Sequence, residues 1–342
     1  MKPTIKMIAD YAGVSRGVVD RVLHGRPNVN PDKRRRVEEA LKKLNYTPDA
    51  AARALALKNR KMKIAVLMPQ WGGMFGVEVM RGIEAARTEL GDYGLEVLVR
   101  RCESDLPEEY IDAIDALTGD GVRGLAVCAK NSESMQRKLR SLSQSGIPVV
   151  TFNSDIPKSG RICFVGRDDI RNGRIAAEIM SKLLPRGAQT LVVCGNREFE
   201  GHRSRVDGFC ARYAELGRGP DVYTVIETYN DYDVTCQKVC RSFTENPAID
   251  GVYMANESIP GCVEALKHLN RAGEVRVVCH DLYDATVRLL REGLVDFAIE
   301  QNMYRQGFMP VSILTNFLIA GKKPEQEIEL TRIHIACAEN IY

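Results

Sequence analysis

The chain has 342 residues, 44% of them hydrophobic and 27% charged, and that length predicts about two or three domains rather than one core. No apolar run approaches the roughly 18 residues a membrane helix needs. The opening MKPTIKMIADYAG lacks the apolar stretch and cleavage site of an export signal, so a cytoplasmic protein with no membrane partner is expected. Net charge is only +3, yet residues 1–61 hold 15 Lys and Arg against 6 Asp and Glu, while the remainder holds 33 against 39. A basic head on a mildly acidic body predicts that the head meets a polyanion.

In the head, Ile5, Ile8, Ala9 and Ala12 recur at helical spacing behind Thr4, a candidate N-cap. Gly13 suits a tight turn, and Ser15 can cap a second helix. In that helix Val18, Val19, Val22 and Leu23 face inward, leaving Arg16, Gly17, Asp20 and Arg21 outward. His24-Gly25-Arg26-Pro27 breaks the pattern. Asn30-Pro31 then supplies an N-cap and a first-turn proline for a third helix, with Val37, Ala40, Leu41 and Leu44 on its apolar face. Two short helices joined by a glycine turn and braced by a third predict a helix-turn-helix, whose second helix enters the major groove of DNA. The alanine-rich segment 49–61 has helix propensity but little to bury, and is expected to fold as a hinge when two copies meet on DNA.

These residues carry a specific resemblance. The stretch from Thr4 to Leu55 resembles the headpiece of the lac repressor family along its whole length. The match lies in IADYAGVS, the arginine and valine of DRVL, GRPNVN, RRRVEEALKKLNY, and the proline and leucine of TPDAAARAL. It implies DNA contacts from Thr4, Ser15, Arg16, Gly17, Asp20, Arg21, His24, Asn30, Arg53 and Leu55. Arg16 and Gly17 sit where the family reads bases, and Leu55 where a leucine pair from the dimer wedges into the minor groove. Val18 and Asp20 depart from the family's usual threonine or serine. Asp20 either accepts from a cytosine amino group or pairs with Arg16 or Arg21.

From Lys63 onward, ten β-branched runs from KIAVLMP to FAIEQN alternate with amphipathic helices. They predict an α/β body of two doubly wound parallel-sheet subdomains behind the all-α head. Ligands collect at the carboxyl ends of such strands, where Asn153-Ser154-Asp155, Asn256-Glu257, His280-Asp281 and Gln301-Asn302 gather.

The body resembles the sugar-type periplasmic binding fold that the lac repressor family fuses to its headpiece, with the chain crossing between subdomains near 163, 295 and 321. The resemblance implies ligand contacts from Phe75 in MFGVEVMRGIEAA, Asn153 and Ser154 in VVTFNSD, Arg203 in HRSRVDGF, and Tyr232 in NDYDV. Asn256, Asp281 and Gln301 follow at strand ends. Carboxylates, amides and guanidinium groups engage vicinal hydroxyls, and aromatic faces cover the C–H side of a pyranose. Strand-end Asn or Ser also caps a following helix, a rival role for Asn256 and Ser154. Sugar-binding relatives usually carry Asp-Arg where this chain has Asn153-Ser154, so a common aldose is less expected than some other polyol, cyclitol or small polar metabolite.

Ten cysteines are scattered from Cys102 to Cys337 with no C-x-x-C, and Cys236 and Cys240 have no histidine close by in sequence to complete a zinc shell. Free thiols acting as small hydrophobes are expected, with no metal and no cofactor. No nucleophile with its base and no phosphate loop marks an enzyme. The expected organisation is a helix-turn-helix over 1–48, a hinge over 49–61, and an effector-binding and dimerisation domain over 62–342. The expected function is a repressor that binds a near-palindromic double-stranded operator as a homodimer and senses a sugar, polyol or cyclitol. The chain stops soon after its last strand without a leucine-heptad tail, which favours dimer over tetramer. The alternatives are a global regulator controlled mainly by a protein partner, or an effector-binding protein with no specific operator.

Overall fold

The computed structural model describes residues 3–23, 29–44, 62–91 and 94–341. His24, Arg53, Leu55 and the hinge at 49–61 lie outside the described residues.

The head contains the three predicted helices, α1 (Ile5–Ala12), α2 (Arg16–Leu23) and α3 (Pro31–Lys43). Thr4 caps α1 by accepting from the Met7 amide at 3.3 Å, and Asn30 caps α3 by accepting from Asp32 and Lys33 at 2.9 and 3.3 Å. Each satisfies amides that a helix start leaves without partners. Gly13 ends α1 at φ 60°, where a Cβ would lie 2.3 Å from the Arg36 guanidinium. The turn therefore needs glycine for its backbone and for its room. Ile8, Ala9, Ala12, Val19, Val22, Val37 and Ala40 close the core, with Val18, Leu23, Leu41 and Leu44 at its edge.

All ten predicted runs form strands. The first lobe holds β1 (Met62–Pro69), α4 (Gly73–Leu90), β2 (Leu95–Cys102), α5 (Pro107–Gly119), β3 (Val122–Val127), α6 (Glu133–Gln144), β4 (Val149–Phe152) and β5 (Cys163–Gly166). The second holds α7 (Asp169–Leu183), β6 (Gln189–Cys194), α8 (Glu200–Glu215), β7 (Tyr223–Glu227), α9 (Tyr232–Glu245) and β8 (Ile249–Met254). It continues through α10 (Ile259–His268), β9 (Arg276–His280), α11 (Asp284–Arg291) and β10 (Phe297–Glu300). Helix α12 (Met303–Ala320) then packs back onto α4 of the first lobe. β11 (Ile328–Leu330) joins the first sheet and β12 (His334–Ala336) the second.

The sheet orders are β2-β1-β3-β4-β5-β11 and β7-β6-β8-β9-β10-β12, the same pattern twice. Every neighbour pair is parallel except β10 and β12. The inner strands are buried nearly throughout because helices cover both faces. Neither β11 nor β12 was expected: each has only three residues, mostly exposed, and no apolar run announces it.

The chain crosses between lobes at Arg167-Asp168, at Gln301-Asn302, and between Leu330 and His334. The expected crossings near 163, 295 and 321 fall short of these points. Cys163 opens β5, Val295 precedes β10, and Gly321 caps α12, so the chain leaves a lobe only after the element at hand has ended.

Helices α7 and α8 approach closely. A Cβ on Gly173 would fall 1.9 Å from the Arg205 carbonyl oxygen, and one on Gly208 would fall 2.1 Å from that of Ile170. Only glycine permits this spacing, and it sets Arg205 beside Asp169 at the start of α7.

Candidate DNA-binding and ligand-binding sites

In the head, Ser15, Arg16, Gly17 and Arg21 are exposed on and just before α2, and Asp20 is half-buried. Thr4, Arg16, Gly17 and Asp20 line one surface concavity together with Ile5 and Lys6. Residues from α1 and α2 thus share a face that presents both cations and backbone. Asp20 and Arg21 are each engaged in an interaction and neither is free. Asn30 is exposed, but its side chain is committed to capping α3.

In the body, a polar network lies at the strand ends and crossings. Arg205 is 4% exposed and donates three ways: Nε to Asp169 Oδ1 at 3.0 Å, Nη1 to the Ala255 carbonyl at 3.1 Å, and Nη2 to Gln301 Oε1 at 3.1 Å. Gln301 Nε2 donates to both Asp281 oxygens at 2.8 and 2.7 Å. Arg167 Nε donates to Asp169 Oδ1 at 2.8 Å, and its guanidinium stands 6.0 Å from the Phe75 ring centre. Asn153 Nδ2 donates to Gln306 Oε1 at 3.2 Å, and Gln306 Nε2 donates to the Gln301 carbonyl at 3.2 Å. Asn153 and Asp281 both have left-handed backbone, φ 61° and 70°, which Asn and Asp tolerate better than most residues.

The electrostatics follow from burial. Burial raises the pKa of Asp281, against the pull of Arg205 and Gln301. Burial also works against Asp169, but Arg167 and Arg205 together hold its carboxyl below the usual range. Glu257 is raised by burial and by Asp281. Its Oε2 stands 3.4 Å from where a Cβ on Gly73 would lie, so here the second lobe faces the start of α4 in the first. His202 accepts the Asn196 amide on Nδ1 at 3.1 Å, and burial followed by Arg205 lowers its pKa to about 4.

Five expected ligand residues therefore gather here. Phe75, Asn153, Asp281 and Gln301 belong to the network, and Asn256, 1% exposed, adjoins it through Ala255 while donating to Thr228 Oγ1 at 3.0 Å. Ser154 and Tyr232 are exposed; Ser154 touches the network only through Cys128, which lies beside Asn153, and no described contact joins Tyr232 to it. Arg203 is also exposed. It lies on the solvent side of α8, two residues before the buried arginine, and two helical residues turn the side chain to nearly the opposite face. Arg205 replaces it. Asp169, Arg167, Gln306 and Tyr283, whose hydroxyl donates to Asp281 Oδ2 at 3.4 Å, were not anticipated. The one signal for Arg205 was its place among Val206, Phe209 and Tyr213, the buried side of α8.

Two buried polar atoms at this site, Asn256 Oδ1 and Arg167 Nη1, have no hydrogen-bond partner among the described residues. Such atoms are rare because desolvation without a partner costs about 1–3 kcal/mol. The cysteines are free, as expected. The expectation that Cys236 and Cys240 lack a histidine is corrected by the packing of α9 on α10, which brings His268 to them. No helix among the described residues is long and apolar enough to cross a membrane.

Fold and sites together define a helix-turn-helix protein with a two-lobed binding body. Residues 4–49 match the bacterial regulatory proteins of the lacI family, and residues 64–323 match the periplasmic binding protein domain. The chain belongs to the lacI family of bacterial regulatory proteins, with a periplasmic binding protein domain as its body.

The HTH-type transcriptional regulator CelR of Thermobifida fusca is 26% identical over 297 residues, covering 84% of this chain and 83% of its own length. Catabolite control protein A of Priestia megaterium is 25% identical over 93% of both chains. Among solved structures, a periplasmic ribose ABC transporter protein of Conexibacter woesei superposes with TM-score 0.71 at 20% identity, over 82% of this chain and 92% of its own. A solute-binding protein of Burkholderia graminis in complex with D-arabinose gives TM-score 0.71 at 21% identity, over 82% and 96%. These likenesses establish the fold of the body.

Proposed function

We propose that this chain is a cytoplasmic, homodimeric repressor rather than an enzyme. It binds a near-palindromic double-stranded operator through α2 and the 49–61 hinge, and a small polyhydroxylated effector between its lobes. One observation carries the effector reading. A buried cluster of guanidinium, carboxylate and amide groups sits where the lobes meet, beside two buried polar atoms that nothing in the described protein satisfies. Arg205, Asp281, Gln301, Asn256 and Arg167 supply donors and acceptors for vicinal hydroxyls, and Phe75 supplies an aromatic face. Because the crossings run through this cluster, a ligand that satisfies it favours one arrangement of the lobes over another.

A thermal-shift panel on the full chain tests this reading, with D-ribose, D-arabinose, D-allose, a cyclitol and a nucleoside as probes. A true ligand at a hundred times its dissociation constant adds about 2.7 kcal/mol of stability. If no polyol or sugar stabilises the chain while it still selects specific DNA, control by a protein partner takes its place.

A further inference from the structure

Outside the cleft, α9 and α10 pack side by side on the second lobe and bring three metal-ligating side chains together. Cys236 and Cys240 lie one turn apart on α9, so their thiols share a face, and His268 is the last residue of α10. Their ligand atoms all lie within 4.8 Å of one another, and Cys236 Sγ is 3.9 Å from His268 Nδ1. A tetrahedral cation with ordinary bonds to sulfur and nitrogen holds those two atoms about 3.6 Å apart. The present edge is within a few tenths of an ångström of that length, a distance side-chain rotation covers.

A second observation bears on the imidazole itself. His268 Nε2 lies 3.1 Å from Glu264 Oε1, one turn earlier on the same helix. A carboxylate there holds the proton on Nε2 and leaves the Nδ1 lone pair facing the thiols, the outer-shell arrangement that metal-bound histidines ordinarily have.

We propose that Cys236, Cys240 and His268 form a surface site for one thiophilic cation of the zinc class, with Glu264 orienting the imidazole. On binding, each thiol gives up its proton to solvent, and the fourth position is left to water. Two sulfurs and an imidazole select Zn2+, Co2+ or Cd2+ over Mg2+ and Ca2+, which prefer oxygen. His268 is 61% exposed in its side chain, so a cation has a path in. The bound cation pins α9 to α10, the helices that begin at Tyr232 and just after Asn256-Glu257, and so stiffens one wall of the cleft.

The test uses the full chain, reduced and freed of metal with a chelator, and Co2+ alone as the probe. One equivalent is expected to produce thiolate-to-cobalt charge-transfer absorption in the near ultraviolet and tetrahedral-intensity visible bands, both displaced by Zn2+. Glu264→Gln should keep the bands and weaken binding about 10- to 100-fold. His268→Ala should weaken it further, and the Cys236→Ser, Cys240→Ser double variant should lose the bands. In the unaltered chain, which makes the outcome independent of whether a variant folds, Zn2+ should shield Cys236 and Cys240 selectively from alkylation read by mass spectrometry. A cobalt spectrum without a thiolate band, or one unchanged in the double variant, overturns the proposal. So does alkylation of Cys236 and Cys240 at the same rate with and without Zn2+.

Discussion

Thr331 Oγ1 donates to the Gln301 carbonyl oxygen at 2.8 Å, which fastens the third crossing between the lobes to the second. The Thr331 amide reaches the first crossing as well, donating to the Gly166 carbonyl at 2.8 Å. The side chain of the same Gln301 joins Arg205 to Asp281. Hinge and ligand cluster therefore share one residue, so a change in the cluster is felt by all three crossings.

Thr331→Val tests this sharing. The variant keeps the volume and the amide but removes a buried hydroxyl donor, while Gln301 O still accepts from Gln306. Because the carbonyl keeps one partner, the expected loss is about 1 kcal/mol. It should be read as a lower urea midpoint with unchanged slope. An unchanged midpoint would mean that the crossing does not depend on this bond.

Arg205→Ala and Arg203→Ala should differ sharply. Removing Arg205 takes the stronger of two arginine charges away from buried Asp281, leaving Arg167, and leaves Asp169 with one arginine in place of two, a change of the kind that costs about 3–5 kcal/mol. Removing exposed Arg203 should change stability by no more than about 0.5 kcal/mol. Urea unfolding of both variants decides, and equal losses would contradict the placement of the functional arginine.

His202 makes stability depend on pH in a definite direction. Its pKa falls from the ordinary 6.5 to about 4 in the folded chain, so between those values the unfolded state binds the extra proton and the folded state does not. Stability from this group is therefore complete above pH 6.5 and is lost as pH falls toward 4, by on the order of 3 kcal/mol. His202→Asn keeps an acceptor for the Asn196 amide but cannot titrate. The stability difference between variant and parent should shift across that window. A difference that stays constant from pH 7 to pH 4 would exclude the effect.

At the head, Arg16→Ala should relax base preference, whereas Arg35→Ala, on the highly exposed face of α3, should weaken all duplexes alike if it meets phosphate. A lost phosphate contact also lowers the salt slope by about one. Binding titrations on specific and scrambled duplexes at several salt concentrations separate the two roles. Equal losses on both duplexes for Arg16→Ala would remove it from base reading.

How much of this was legible in the sequence depends on whether the information was local. The capping of α1 by Thr4 and of α3 by Asn30, the turn at Gly13 and ten strands all follow from spacing and residue type within one segment. Asn153, Asn256, Asp281 and Gln301 were legible because each follows an apolar run and so falls at a strand end. Arg205 was missed because HRSRVDGF offers two arginines two residues apart, and only Asp169, Ala255 and Gln301 arriving from three other segments single out the inward one. His268 beside Cys236 and Cys240 is a product of helix packing and has no local signature. The short strands β11 and β12 exist through pairing alone.

Coupling between the cleft and the head must be reciprocal. The effector identified by thermal shift is titrated into the full chain with and without a saturating operator duplex. Whatever factor the effector applies to operator affinity, the operator must apply to effector affinity, typically about 5- to 150-fold. The expected result is two equal factors, both different from one. Effector affinity that is identical with and without operator would show that the two halves do not communicate.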